Sequence, residues 1–257
     1  MAFTRRLTLI ATTVLALAGP AVAEPVVMAT EASFPPFSRT EADGSFSGFE
    51  IDLGNAVCER AGFDCTWVKQ DFDGAIAALL AEKFDIIFSS MSIKPERQRV
   101  ADFSIPYYSV ASAVFAAKGA LKDVPADLGG RKLGVYGGST QDQYARANFA
   151  DVDIRPYENI DQMSADLVAG RIDAMFVESL PGQEFLSRPE GAPYELAGDL
   201  FQDEALGAGA GAMLRKGDAR KARVDAALKA IYADGTFDEL QKKWFVEGTD
   251  VKADHLW

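Results

Sequence analysis

One histidine, His255, stands in the 257 residues of the chain. That scarcity argues against Ser-His and Cys-His nucleophile pairs, which need an imidazole beside the attacking atom. It also leaves the only two cysteines, Cys58 and Cys65, without nitrogen ligands to complete a metal site. No metal or cofactor is expected. Basic residues are in deficit, with 26 Lys and Arg against 38 Asp and Glu and a net charge of -12. That balance argues against nucleic acid as a partner, because neutralising phosphates takes clustered cations. No apolar run reaches the ~20 residues that cross a bilayer.

The longest apolar run, Leu7 to Ala18, follows Arg5 and Arg6 and precedes Gly19-Pro20 and the small-residue triplet Ala21-Val22-Ala23. This is the order of a secretory signal peptide, with cleavage expected after Ala23 and export to the periplasm. A short membrane anchor is the other reading, and the run is too short for it. In an oxidising compartment the close pair Cys58 and Cys65 most simply forms a disulfide. Closing so short a loop adds only ~2–3 kcal/mol in the chain-entropy picture.

Beyond the leader the pattern alternates. Val26 to Thr30 reads as a buried strand, then a loop "EASFPPFS" punctuated by two prolines. "EIDLGNAVCERAG" reads as a helix with Leu53, Val57 and Ala61 on one face and Gly62 as its stop. "FDCTWV" is a strand, "DGAIAALLAEK" a helix with Ile76, Leu79 and Leu80 on one side, and "FDIIFS" a strand. The order restarts at Lys132 with "KLGVY", "TQDQYARANF", "DIRPY", "IDQMSADLVAG" and "RIDAMFV". Within it "ALLAEKFDIIFSS" matches "ADLVAGRIDAMFVE" with one residue of slack, which aligns Asp85 with Asp173 and Ser90 with Glu178. Two related α/β lobes with mostly parallel sheets follow from this duplication. A Gly/Ala run, Gly207 to Gly211, reads as extended and flexible. It precedes a short strand and two helices, one with Val224, Leu228 and Ile231 on a face, the other with Phe237, Leu240 and Trp244. These helices are expected to return to the first lobe. The lobes are then 24–111 with 213–257, and 112–212, and the backbone crosses twice, near Tyr107–Ser112 and Gly207–Met213. Two crossings make a hinge.

In open α/β sheets ligands bind beyond the carboxyl ends of the strands. Those ends carry Glu31, Phe34 and Phe37; Asp71 and Phe72; Ser89 to Arg97; Tyr136 to Gln141; and Glu178. "GGSTQDQ" opens a helix whose free N–H groups favour an anion, or is an ordinary capped start; Ser139 or Thr140 can cap, and Thr140 with Gln143 has capping-box spacing. Arg97 is either a solvated helix residue or a planar fork for a carboxylate. Glu178 is either a surface cap or the partner of an ammonium group. Phe34, Phe72 and Tyr136 are core edges taken singly and an apolar box taken together. A fork for a carboxylate, a carboxylate for an ammonium and hydroxyls between them suit an α-amino acid.

The segments "ATEASFPPFS", "GFEIDLGNAVCERAGFDCTWV", "DFDGAIAAL", "SSMSIKPERQ", "FSIPYY", "GGSTQ", "AGRIDAMFVE" and "DGTFDELQKKWF" together resemble the periplasmic amino-acid-binding proteins of ABC importers. The resemblance is to the lysine/arginine/ornithine, histidine and arginine branch, and spans the mature chain. It implies a two-lobe periplasmic binding protein fold of type II, closure on a ligand, a monomer, and delivery to an inner-membrane permease. It also implies residue roles. Arg97 and Thr140 meet the α-carboxylate, while Ser90, Ser92 and Glu178 hold the α-ammonium. Phe34 and Phe72 wall the side-chain slot. Ser139 and Gln141 close over it, Ser89 lies among the contacts, and Cys58 pairs with Cys65. Two departures stand out: Glu178 replaces the usual Asp, and Lys94 replaces the usual capping Thr or Ser. Glu31, with the faces of Phe34, Phe72 and Tyr136, suits a cationic side chain, with cation–π contacts worth ~0.5–2 kcal/mol. Arginine is expected first, then lysine, ornithine or histidine. Glu178 keeps two alternatives open: an opine built on arginine, and a cyclohexadienyl dehydratase with Glu178 as general acid.

Overall fold

The computed structural model describes residues 23–257; the expected signal peptide ahead of Ala23 lies outside the described residues. The chain runs β1 (Glu24–Thr30), β2 (Ser33–Phe34), β3 (Ser38–Thr40), β4 (Phe46–Ser47), α1 (Phe49–Ala61), β5 (Phe63–Lys69), α2 (Ala75–Leu80), β6 (Ile86–Ile87), α3 (Pro95–Gln98) and β7 (Ala101–Phe103). It continues through β8 (Ser112–Ala117), β9 (Lys132–Tyr136), α4 (Thr140–Asn148), β10 (Asp153–Tyr157), α5 (Ile160–Val168), β11 (Ala174–Glu178), α6 (Ser179–Ser187) and β12 (Tyr194–Phe201). β13 (Met213–Arg215), α7 (Arg220–Ala233) and α8 (Thr236–Trp244) follow.

Two sheets have the same plan. Their orders are β5-β1-β6-β13-β7 and β10-β9-β11-β8-β12. In each, one strand runs against its neighbours: β13 against β6 and β7, and β8 against β11 and β12. The remaining pairings are parallel. The reversed strand is in each case the first one after a crossing from the other lobe, so each lobe is completed by chain that has just left its partner. α7 and α8 pack on α1, burying Val224, Leu228, Ile231 and Phe237. The disulfide Cys58–Cys65 joins α1 to β5.

The internal repeat has a physical counterpart. The Asp85 carboxylate accepts from the Val27 N–H at 2.9 Å, and that of Asp173 accepts from the Lys132 N–H at 2.8 Å. Both aspartates also donate their own N–H to the carbonyl of the same partner, at 2.9 and 2.8 Å. Asp85 immediately precedes β6 and Asp173 immediately precedes β11, so in both lobes one carboxylate ties the start of its own strand to the neighbouring strand.

Several local expectations change. α2 is shorter than its pattern and buries Ala75, Ala78 and Leu79, while Leu80 is 47% exposed. The run 84–89 gives only the two-residue strand β6, because its later residues leave the ladder for the cleft. The proline-rich loop contains β2, which pairs with β3, and β3 pairs in turn with β4 in a small three-stranded sheet. The Gly/Ala run is extended but not loose. Ala210 bridges to Ser92 and Tyr108, and Tyr107 N–H donates to the Ala210 carbonyl at 2.8 Å. The two crossings are therefore bonded to one another. Among the described residues no helix is long and apolar enough to cross a membrane.

Candidate ligand-binding cleft

The strand ends of both sheets meet at a cavity enclosing about 370 Å³, part of it open to solvent. It is lined by Glu31, Phe34, Phe72, Ser89, Ser90 and Ser92 from one side, and by Tyr136, Ser139, Thr140, Gln141, Val177 and Glu178 from the other. The candidates read from scattered motifs are thus brought to one place, with Val177 as an addition. Arg97 is the exception: it stands beside the lining. Its guanidinium lies 5.7 Å from the Phe72 ring centroid and donates to the carbonyls of Ser92 at 3.0 Å and Gly138 at 3.1 Å.

Arg97 is not a solvated helix residue. It is 6% exposed, and among the described residues no carboxylate pairs with it. Burial pushes its pKa down to about 10, which leaves it cationic at neutral pH. A buried charge without a counter-ion is costly unless something arrives to meet it. The Gly138 carbonyl it reaches belongs to the other lobe, so the guanidinium already spans the cleft. Gly138 has φ +72, and a Cβ there would lie 2.7 Å from Asp73 Oδ1. Glycine is needed for this close approach.

The helix after Gly138 starts differently from the expected capping box. Ser139 is the cap, accepting from the Asp142 N–H at 3.1 Å, and Thr140 opens the helix. Thr140 is free of that duty and lines the cavity. Gln141 donates to Ser112 Oγ at 2.8 Å, which fixes its side chain at the lobe edge. Lys94 precedes α3 without a capping bond, as its side chain requires, and its ammonium reaches Gln143 in the other lobe at 2.9 Å.

Three buried carboxylates surround the cavity or support it. Glu31 accepts from Ser33 Oγ, and its N–H donates to Ser89 Oγ at 3.0 Å. Desolvation raises its pKa to about 7. Glu178 accepts from the Tyr108 hydroxyl at 3.1 Å, and desolvation raises it to about 8. The extra methylene of Glu178 is thus absorbed by turning its carboxylate onto the hinge segment. Glu50, which sequence reasoning passed over as an ordinary acid in a helix's first turn, accepts from Tyr107 at 2.5 Å and from the Ser90 N–H at 2.6 Å. Desolvation raises it to about 7. Tyr107 and Tyr108 were also missed as site residues; nothing in "IPYY" distinguishes a core tyrosine from one aimed at an acid. Their rings are set by stacking, Phe88 on Tyr107 at 4.3 Å and Phe37 on Tyr108 at 4.5 Å.

The aromatic box forms. Tyr136 meets Phe34 edge-on at 5.7 Å and Phe72 at 5.6 Å, across the lobes. Its buried hydroxyl lies beside Glu31 and Ser33, and burial together with the nearby Glu31 charge pushes its pKa up.

The description "bacterial extracellular solute-binding proteins, family 3" matches residues 26–247. The chain is 41% identical over 242 residues to the L-arginine-binding protein of Pseudomonas aeruginosa, covering 92% of this chain and 93% of that one. It is 41% identical over 231 residues to the lysine/arginine/ornithine-binding periplasmic protein of Escherichia coli, covering 88% and 89%. A solved periplasmic binding protein of Salmonella typhimurium with high arginine specificity superposes with a TM-score of 0.81 at 30% identity, over 87% of this chain and 100% of that one.

Proposed function

The chain belongs to the bacterial extracellular solute-binding proteins, family 3, and from that membership we propose that it captures a basic amino acid, arginine first, in the periplasm and hands it to an ABC permease. Lysine, ornithine or histidine come after arginine. The observation that carries this reading is the charge pattern of the cleft: buried Arg97 without a carboxylate partner at one end, and the buried acids Glu31 and Glu178 lining the rest. In this reading Arg97 and Thr140 take the α-carboxylate. Ser90, Ser92 and Glu178 take the α-ammonium. Glu31 takes the distal cation, held between Phe34, Phe72 and Tyr136, with Ser89 behind it and Ser139 and Gln141 at the closing edge. The lobes, 24–111 with 213–257 and 112–212, close about the paired crossings, and ligand shifts that equilibrium by binding the closed form better. The leader is removed after Ala23.

The dehydratase reading is weakened by the same pattern. A substrate with two carboxylates would meet Glu31 and Glu178 in the lining and, among the described residues, find only Arg97 as a buried cation beside it. The opine reading rested on the length of Glu178, and its bond to Tyr108 accounts for that length. Mass spectrometry of the small molecule released on denaturation, followed by calorimetry on stripped protein, tests the proposal. Arginine should bind, octopine more weakly, and Arg97→Met should lose ~100-fold or more of the affinity, as for a truncated buried charge pair. Binding of neutral or acidic amino acids with none of arginine would overturn it.

A further inference from the structure

Glu50 does not line the cavity, yet it is fully buried beneath it. Its carboxylate receives the Ser90 N–H at 2.6 Å, the Ser90 hydroxyl at 3.1 Å and the Tyr107 hydroxyl at 2.5 Å. Ser90 holds φ +50, in the left-handed region that a residue with a Cβ seldom adopts. Two bonds from one residue to one carboxylate are a direct means of holding it there. They have a second effect. Both donors of Ser90 are consumed by Glu50, so what it offers the ammonium is its carbonyl, an acceptor that a glycine at this position keeps. An acceptor-only group suits an ammonium, which has donors alone. Across the cleft, at the position the repeat makes equivalent, Glu178 is also an acceptor.

The hinge joins these two halves. Tyr107 and Tyr108 are consecutive in the first crossing, and one hydroxyl goes to Glu50 while the next goes to Glu178. The Tyr107 N–H is bonded to Ala210 of the second crossing. Glu50 therefore links the shape of Ser90 to the segment about which the lobes move.

We propose that Glu50 is a positioning residue for the ligand's α-ammonium group, acting through Ser90 and held in place by Tyr107. This rests on the amino-acid-binding reading above. A carboxylate that served the fold alone would affect every ligand of the cleft alike. One that positions the ammonium acceptor affects only ligands carrying an ammonium.

The test is calorimetry of wild-type protein and Glu50→Gln with two compounds, L-arginine and 5-guanidinopentanoate, which is arginine without its α-amino group. Glu50→Gln should weaken arginine on the order of tenfold and the deaminated compound less than about threefold. Ser90→Gly supplies the rescue, because glycine adopts φ +50 without being held. The double variant Ser90→Gly/Glu50→Gln should bind arginine more tightly than Glu50→Gln alone. If Glu50→Gln does not fold, Tyr107→Phe, which removes one hydrogen bond to the carboxylate, should give the same ammonium-selective loss at smaller size. Wild-type protein that binds neither compound overturns the amino-acid reading and this inference with it. Wild-type protein that binds arginine, with equal losses for both compounds in the variants, overturns this inference alone.

Discussion

Position for position, the inner strands of the two lobes end alike in geometry and unlike in chemistry. Met28 pairs with Ile86 as Leu133 pairs with Ala174, so Glu31 and Tyr136 occupy equivalent places, as do Ser90 and Glu178. Away from the cleft the equivalence extends to side chains: Asp85 and Asp173, each just ahead of its strand, make the same bond to equivalent residues of the neighbouring strand, Val27 and Lys132. At the cleft it breaks, and the two members of each pair face a shared cavity. Where a position serves the strand, both lobes keep the residue. Where it serves the cavity, an acid stands opposite a phenol and a hydroxyl opposite an acid. Duplication supplies two matching walls, and divergence at their ends makes the walls complementary to something neither could hold alone.

After the loss of Arg97, breaking the acids one at a time gives the largest expected effect. Glu178→Gln should weaken arginine, lysine and ornithine together by ~30-fold or more, because each brings the same ammonium to a desolvated carboxylate. Glu31→Gln should weaken arginine by about tenfold and leave glutamine nearly unchanged, because only the cationic end is affected. Calorimetry with both ligands on both variants separates the roles; the same profile for the two would remove the division of labour between the lobes.

A smaller effect is expected from pH. In the ligand-free protein desolvation lifts Glu31 and Glu50 to about 7 and Glu178 to about 8, all from 4.5. The folded state then holds more protons than the unfolded chain between those values, so ligand-free stability is highest on the acid side of the window and declines as pH rises to about 8. A cationic ligand favours the ionised acids, so binding near pH 6.5 should release protons and affinity should rise with pH across the window. Titration in buffers of different ionisation enthalpy reads the release directly. Glu178→Gln should remove its upper part, the share of the second lobe.

The smallest effect concerns the matching aspartates. Asp85 is part-buried and also pairs with Arg215 at 3.0 Å and Arg220 at 2.7 Å, whereas Asp173 is exposed. Asp85→Ala should therefore cost about 2–3 kcal/mol of folding stability and Asp173→Ala about 1 kcal/mol. Denaturant unfolding of the two variants measures the difference, and equal losses would show that the added ion pairs contribute nothing.

Much of this was legible in the chain before any coordinates. The succession of strands and helices, the repeat and the clustering of candidate residues at strand ends follow from local periodicity and from the rule that α/β sheets bind ligands at one edge, whereas the order of strands within each sheet does not. The errors are local too. Leu80 looked like a core residue because its spacing fits a helix longer than the six residues of α2. Ser139 and Thr140 could each cap because they are chemically interchangeable there, and backbone position decides for Ser139. Glu50 left no mark at all: an acid in a first helical turn is favoured wherever it points.

By itself, then, the sequence determined the architecture and the chemical classes at the cleft, since both depend on patterns within short stretches. It placed the acids Glu31 and Glu178 at strand ends and left Arg97 open between a solvated helix residue and a carboxylate fork. Only the tertiary structure decided which groups are desolvated and by what they are held. Arg97 reaching a carbonyl of the other lobe, Glu178 turned onto Tyr108, and Glu50 beneath Ser90 all join residues more than 39 positions apart. Burial and hydrogen bonding across such distances are properties of the packed chain, because each depends on atoms that local sequence does not bring together.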